Sequence, residues 1–125
     1  MTSWARLSLI LAALSGLASV AAGALASHGG ADPQAQEWLR TGSIYEMTHA
    51  PAVFAAVFVA QLGGRRALIA AAMFLAGTVL FSGALYAIAL GAPGAVGSAI
   101  PVGGVLFMAG WIVLAWACVG LKKTA

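Results

Sequence analysis

Long apolar stretches separated by short polar breaks form the pattern of this chain. Residues 7–27 and 67–90 contain no charged side chain, and residues 102–121 stay apolar up to Lys122. A further apolar stretch, residues 44–62, contains Glu46 and His49. An α-helix needs about 20 mainly apolar residues to cross the hydrocarbon core of a bilayer. The pattern therefore predicts an all-α integral membrane protein, with four transmembrane helices in a compact bundle and residues 1–125 forming a single membrane domain.

The segment between the first two spans is the one sizeable polar segment. Asp32 is a good N-cap residue, Pro33 suits the first helical position, and Gly42 suits a helix end. Trp38 can then lie at the headgroup level. We expect a short interfacial helix over residues 33–41 in the first outer loop, with a plain hairpin loop as the alternative.

Basic residues set the expected orientation. Arg6, the Arg65-Arg66 pair and the Lys122-Lys123 pair flank the spans on one side, whereas Arg40 alone lies on the other. Cytoplasmic loops carry an excess of lysine and arginine. Both termini are therefore predicted to be cytoplasmic, in a multi-pass protein of the inner (plasma) membrane.

The first span also imitates a secretory signal. Arg6 precedes an apolar run that ends in Ala24-Leu25-Ala26, a pattern typical of a cleavage site. The apolar run is nearer 20 residues than the 7–15 of a signal peptide. We favour an uncleaved transmembrane helix over a removed signal.

Composition excludes several classes of protein. The chain is 62% apolar and only 7% charged, whereas soluble domains carry about 25% charged residues. Neither a water-facing surface nor a disordered chain can be made from so few charges. A single cysteine, Cys118, removes any disulfide framework. The net charge of +3 is not gathered in a basic stripe, so no nucleic-acid partner is expected.

Small residues recur where helices are expected to pack. Close packing of small residues drives helix association in lipid. Four-residue spacing in the first span forms a ridge along one helix face. The candidate packing positions are Ser15, Ser19 and Gly23 in the first span, Gly83 in the third, and Gly103, Gly104 and Gly110 in the fourth.

Polar side chains inside the spans are the candidate functional residues, because ionisable groups in a membrane are costly. Counted from the helix ends, they are predicted to meet in the outer third of the bundle. The candidate cluster comprises His28, Tyr45, Glu46, His49, Ser82 and Tyr86. We expect His49 and Tyr86 to approach within direct or water-bridged hydrogen-bonding distance. The alternatives are that Glu46 simply reaches interfacial water and that His49 makes a structural hydrogen bond.

The cluster does not match a familiar catalytic site. A zinc site needs three or four Cys, His or carboxylate ligands, and His28, His49 and Glu46 barely reach three. Two histidines near one end of a small bundle are a poor haem site. The sequence contains no nucleophile–base arrangement or phosphate-binding loop. We therefore expect no enzyme activity, no metal and no cofactor.

Four segments resemble a known family. Residues 23–29 (GALASHG), 40–51 (RTGSIYEMTHAP), 81–90 (FSGALYAIAL) and 100–111 (IPVGGVLFMAGW) are similar, in order and spacing, to the YgdD-like family of small four-span membrane proteins. That family also includes the eukaryotic transmembrane protein 256. Glu46 departs from the glutamine expected at its position, and Pro51 is also unusual. The resemblance implies the fold but no biochemical activity, since none is established for the family.

Three functions follow as hypotheses. The first is a structural or accessory membrane component, with a membrane-protein partner or a second copy of the chain in the lipid bilayer. The second is a minimal transporter or channel for a proton, ion or small polar solute that uses the outer polar cluster. The third is binding of a lipid or quinone headgroup.

Overall fold

The computed structural model describes residues 1–30 and 32–124. Four long helices follow one another: α1 (Ser3–His28), α2 (Pro33–Gln61), α3 (Ala67–Ala89) and α4 (Ala99–Val119), with a 3₁₀ turn at Gly94–Ser98 before α4. By length and composition, all four can cross a membrane. No β-strand occurs in the described residues. The predicted all-α, four-span architecture is confirmed.

Helix α2 corrects one part of the prediction. It begins at an Asp32 cap, whose carboxylate accepts hydrogen bonds from the Gln34 and Ala35 amides. It does not end at Gly42, so the expected interfacial helix and the second span are one helix of 29 residues. A Cβ atom on Gly42 would lie 2.5 Å from Cε1 of Tyr86. This glycine therefore lets α3 approach α2 and does not stop the helix.

The α2–α3 pair forms the centre of the bundle. Helix α1 packs mainly on α2 and α4 mainly on α3, and each also touches the other central helix. Among the described residues, α1 and α4 make no contact with each other. The bundle is therefore open between its two outer helices.

Small side chains bring the central helices close together. Ala52 and Ala56 of α2 and Ala70 and Ala71 of α3 are buried in one apolar cluster. Phe74 of α3 is fully buried in the same cluster. Alanine allows helix backbones to approach closely, which increases dispersion contacts in a membrane where lipid supplies no hydrophobic drive.

The predicted packing glycines of α3 and α4 divide into two groups. A Cβ atom on Gly103 would lie 2.5 Å from the Phe81 backbone nitrogen, and one on Gly110 would lie 2.6 Å from Cε1 of Phe74. On Gly104 the nearest atom would be at 3.8 Å, an ordinary contact. Gly83 is not a contact position, because its Cβ would meet only the Thr78 carbonyl of its own helix, at 3.9 Å.

The close approach predicted for Gly83 occurs earlier in α3, at Gly77. A Cβ atom on Gly77 would lie 2.7 Å from Cδ1 of Phe107 and 3.1 Å from the Gly103 carbonyl oxygen. The correction has a simple cause. Gly77 and Gly83 are both small, but only Gly77 lies on the face that α4 covers.

Candidate functional site

Glu46 joins three helices through its carboxylate. It lies about halfway along α2 and is buried, with 5% of its surface exposed. Ser15 of α1 donates a hydrogen bond of 2.7 Å to Oε2, and the Tyr86 hydroxyl of α3 donates one of 2.8 Å to Oε1. No ion pair involving Glu46 occurs among the described residues. Two hydroxyl groups from neighbouring helices therefore hold this buried carboxylate.

Two further serines fix the register of the helices on which this network depends. Ser43 of α2 donates a hydrogen bond of 2.7 Å to the Ser19 carbonyl of α1. Gly23 lies one turn further along α1, where a Cβ atom would be 3.1 Å from the Ser43 hydroxyl. Ser82 of α3 donates a hydrogen bond of 2.7 Å to the Gly42 carbonyl of α2. The four-residue spacing in α1 thus places hydroxyl and backbone groups along the face that meets α2.

His49 connects α2 to α4. Its Nδ1 lies 2.7 Å from the Tyr45 carbonyl oxygen, and Trp111 Nε1–H donates a hydrogen bond of 3.0 Å to its Nε2. A carbonyl can only accept and an indole N–H can only donate. The proton of neutral His49 therefore lies on Nδ1. The imidazole ring stacks on Phe107 with a centroid distance of 3.6 Å.

The predicted cluster is divided between these two networks. Glu46, Tyr86 and Ser82 lie where α2 meets α3, whereas His49 bonds to α4. No direct hydrogen bond joins His49 and Tyr86, because the Tyr86 hydroxyl donates to Glu46 and both His49 nitrogens have other partners. A bridge through water between them stays a prediction.

The two remaining members of the predicted cluster lie outside both side-chain networks. Tyr45 contributes its backbone carbonyl to His49, while its half-exposed ring packs on Phe81 at 4.5 Å between centroids. His28 is exposed at the C-terminal end of α1.

Two residues of these networks were missing from the predicted cluster. From the sequence, Ser15 is only a packing position and Trp111 is only part of the segment that resembles the family. Ser15 lies about halfway along α1, and Glu46 lies about halfway along α2. In α3, by contrast, Tyr86 lies three residues before the outer end at Ala89, as the prediction of a cluster near that end required. The four-residue spacing from Ser15 to Ser19 was the available signal for a shared face.

Each network borders a crevice on the bundle surface. The crevice between α1 and α3 has a volume of about 320 Å³ and reaches Ser15 and Glu46. The crevice between α2 and α4 has a volume of about 350 Å³ and is lined mainly by aromatic side chains, with His49 in its wall. Every buried side-chain nitrogen or oxygen in the described part of the chain has a hydrogen-bond partner. The arrangement is suited to holding helices together.

Metal ligation has no geometric support in the described chain. No group of three His, Cys, Asp or Glu side chains lies close enough there to hold an ion. Trp111 already occupies Nε2 of His49, and Cys118 is exposed near the end of α4.

Comparisons with known proteins identify relatives over most of the chain. The profile of a protein family of unknown function, DUF423, matches residues 22–104. A UPF0382 membrane protein of Haemophilus influenzae is 41% identical over 86% of this chain and 90% of its own length. The UPF0382 inner membrane protein YgdD of Escherichia coli is 37% identical over 98% of this chain and 95% of its own.

A relative from a third bacterium matches a similar share of the chain. The UPF0382 membrane protein YwdK of Bacillus subtilis is 37% identical over 89% of this chain and 94% of its own. No solved structure matches the chain. With four apolar helices and relatives named as membrane proteins, the chain is a multi-pass membrane protein, and it belongs to the DUF423 family of unknown function.

Proposed function

We propose that this protein is a structural or accessory component of the membrane and not an enzyme, channel or carrier. One observation carries the proposal: every buried polar side chain of the two central helices, as far as the structure describes them, makes a hydrogen bond to a neighbouring helix. The Glu46 carboxylate connects α1, α2 and α3, and the Trp111–His49 hydrogen bond adds α4.

The physical chemistry of the membrane supports this role. A polar group without a partner in hydrocarbon costs several kcal/mol, so each buried hydroxyl strongly restricts which helix arrangement is allowed. The gain from each bond is small, averaging about 0.6 kcal/mol in membrane proteins. Such networks therefore select one arrangement of the helices but add little to the stability of the bundle. A carrier instead needs polar groups that exchange partners with its substrate.

The partner that we propose is another membrane protein or a second copy of the chain, with both termini in the cytoplasm. The orientation rests on the basic residues, since Arg65, Arg66, Lys122 and Lys123 lie at the end of the bundle that holds the α2–α3 turn and the end of α4. The outer faces of α1 and α4, which do not cover each other, remain available for a partner.

Photocrosslinking in intact membranes tests the accessory role. A photoreactive residue would replace Val20 of α1 or Val105 of α4, both of which are exposed. We expect a defined crosslinked protein or a crosslinked dimer from at least one position. Buried Val53 serves as the control and should give no intermolecular product. Lipid adducts alone from both outer positions would contradict the proposal.

Flux measurements test the transport alternative. Proteoliposomes that contain the purified protein should be no more permeable to protons, monovalent ions or small polar solutes than empty liposomes. A flux that depends on the protein and is lost in Glu46→Gln would favour a transporter, because a glutamine side chain keeps hydrogen bonds but cannot carry the carboxylate charge.

The aromatic crevice between α2 and α4 favours quinone or lipid headgroup binding as a second candidate function. Tyr45, Phe81, Phe107 and Trp111 line it beside His49, and flat aromatic walls suit a flat ring. A short-chain ubiquinone should then quench the fluorescence of Trp111 in a variant with no other tryptophan. The matched variant that retains only Trp116 is the control. Equal quenching of both would exclude the crevice as the binding site.

A further inference from the structure

The end of the bundle opposite the Asp32 cap has a positive charge without acidic side chains nearby. Arg65 and Arg66 lie in the turn between α2 and α3, and Lys122 and Lys123 follow α4. The antiparallel register of α1 and α2, set by the Ser15–Glu46 and Ser43–Ser19 contacts, brings Arg6 to the same end. All three acidic residues of the chain, Asp32, Glu37 and Glu46, lie in the first half of α2 or at its start.

This basic end is shaped into a cleft. Two adjoining clefts of about 360 and 270 Å³ share Gly63 and Gly120 in their walls. Arg65 and Arg66 line the first cleft, and Lys122 lines the second. Glycines leave the mouth open, since a Cβ atom on Gly63 would meet nothing within 4 Å.

One arginine is held in place at the cleft. The guanidinium carbon of Arg66 lies 4.0 Å from the ring centroid of Trp116 in α4. Stacking on an aromatic ring leaves the N–H groups at the edge of the guanidinium free for a planar, doubly hydrogen-bonded contact with phosphate. The described residues contain one ion pair, between Arg40 and Glu37 near the opposite end. Within this part of the chain, no carboxylate neutralises the basic groups at the cleft.

From this geometry we infer that the Gly63–Gly120 cleft binds the phosphate headgroup of an anionic membrane lipid. Charge complementarity selects the partner, because basic pockets between transmembrane helices recognise anionic lipid headgroups. The cleft lies at the ends of α2 and α4, where a lipid phosphate could reach it, and the exposed Leu62 and Val119 beside it suit acyl chains. The inference does not depend on the accessory role proposed above.

A cavity-filling variant gives the sharpest test. Gly120 has φ −79°, and a Cβ atom there would meet only the Ala117 carbonyl, at 3.5 Å. Gly120→Leu can therefore fill the cleft without backbone strain and without any change of charge. Gly94→Leu is the matched control, because Gly94 lies at the other end of the bundle with nothing within 4 Å of its Cβ position.

The measurement is native mass spectrometry of protein released from nanodiscs that contain equal amounts of phosphatidylglycerol and phosphatidylcholine. We expect the unchanged protein and Gly94→Leu to retain phosphatidylglycerol, and Gly120→Leu to lose it. In the Arg65→Gln/Arg66→Gln variant, retention should fall about fivefold for each arginine removed, whereas Arg40→Gln should have no effect.

Three results would overturn the inference. The first is equal retention of phosphatidylglycerol and phosphatidylcholine by the unchanged protein. The second is retention of phosphatidylglycerol by Gly120→Leu at the level of Gly94→Leu. The third is displacement of the lipid by inorganic phosphate alone, which would assign the cleft to a soluble anion. Should Gly120→Leu not fold, as judged by circular dichroism, the arginine variants and their Arg40→Gln control decide the question.

Discussion

At the scale of single residues, the buried ionisable side chains of α2, Glu46 and His49, make contacts between helices. Glu46 accepts hydrogen bonds from hydroxyl groups of two other helices. His49 is held between a carbonyl of its own helix and Trp111 of α4. In lipid, a lost partner cannot be replaced by water. Substitutions at these positions should therefore act through the groups that they leave unpaired.

Glu46→Leu should destabilise the bundle more than Glu46→Gln. Leucine leaves the Tyr86 hydroxyl without its partner, which lowers the free energy of unfolding by about 1–3 kcal/mol. Glutamine can still accept one hydrogen bond and donate another. The measurement is thermal unfolding in mild detergent, followed by circular dichroism.

A second substitution distinguishes the effect of the unpaired Tyr86 hydroxyl from the effect of poor packing around the new leucine. Tyr86→Phe in the Glu46→Leu background removes the unpaired hydroxyl, so the double variant should be more stable than Glu46→Leu alone. If adding Tyr86→Phe lowers stability further by its full single-variant amount, Glu46 and Tyr86 are not coupled, and their hydrogen bond has no energetic role.

The tautomer of His49 is a second prediction at this scale. Because Tyr45 offers a carbonyl and Trp111 an N–H, neutral His49 should carry its proton on Nδ1. Nitrogen-15 NMR of histidine-labelled protein in lipid reports which ring nitrogen is protonated. His28 is exposed and provides an internal comparison. In Trp111→Phe the Nε2 partner is lost, and the preference of His49 should weaken. A proton on Nε2 in the unchanged protein would contradict the observed bonding.

At the scale of helices, small residues matter only where a neighbour covers them. Gly77 and Gly103 face each other across α3 and α4, whereas Gly83 and Gly104 have room for a side chain. Glycine costs about 1 kcal/mol relative to alanine within a helix. An alanine should thus destabilise the covered positions and not the uncovered ones.

Gly103→Ala and Gly104→Ala make a matched pair. The added methyl group at Gly103 would lie 2.5 Å from the Phe81 backbone nitrogen, so α3 and α4 must separate and lose dispersion contacts. We expect Gly103→Ala to lower the free energy of unfolding by about 1–3 kcal/mol, the usual cost of overpacking. Gly104→Ala should be neutral or slightly stabilising. Denaturant titration in mixed micelles measures both, and equal changes would show that the covered and uncovered positions do not differ in packing.

At the scale of the whole molecule, the chain forms an open bundle whose two ends differ in charge. The end that holds Asp32 and Glu37 contains Arg40 as its basic residue, and the other end gathers the remaining arginines and lysines. Helix α1 and helix α4 each leave one face uncovered by the other. This asymmetry is the basis of the proposed orientation, partner and lipid site.

Orientation can be checked by cysteine labelling. Cys118→Ala removes the single native thiol, and a new cysteine then replaces either Ala95, in the turn before α4, or Thr2, ahead of α1. A membrane-impermeant maleimide added to intact cells should label Ala95→Cys and not Thr2→Cys. Both should react after the cells are opened. The reverse pattern would place the basic end outside, against the positive-inside rule.

How much could be predicted depended on the range of the interaction. The four spans and the class of integral membrane protein could be predicted from the sequence, because the length of an apolar segment and its charge are local properties. The Asp32 cap is equally local. The prediction that a helix ends at Gly42 is wrong, because this glycine admits a neighbouring side chain, that of Tyr86, 44 positions further along the chain.

The pairing of polar groups belongs entirely to the tertiary structure. The sequence supplied Glu46, His49 and Tyr86 as costly groups that need partners. It did not specify that Tyr86 bonds to Glu46 and that Trp111 bonds to His49. The position of a residue along its helix leaves each polar group several candidate hydrogen-bond partners. Only the rotation of each helix about its own axis selects one of them. That rotation is set by the small residues and aromatic rings at the helix contacts, which act together and not one segment at a time.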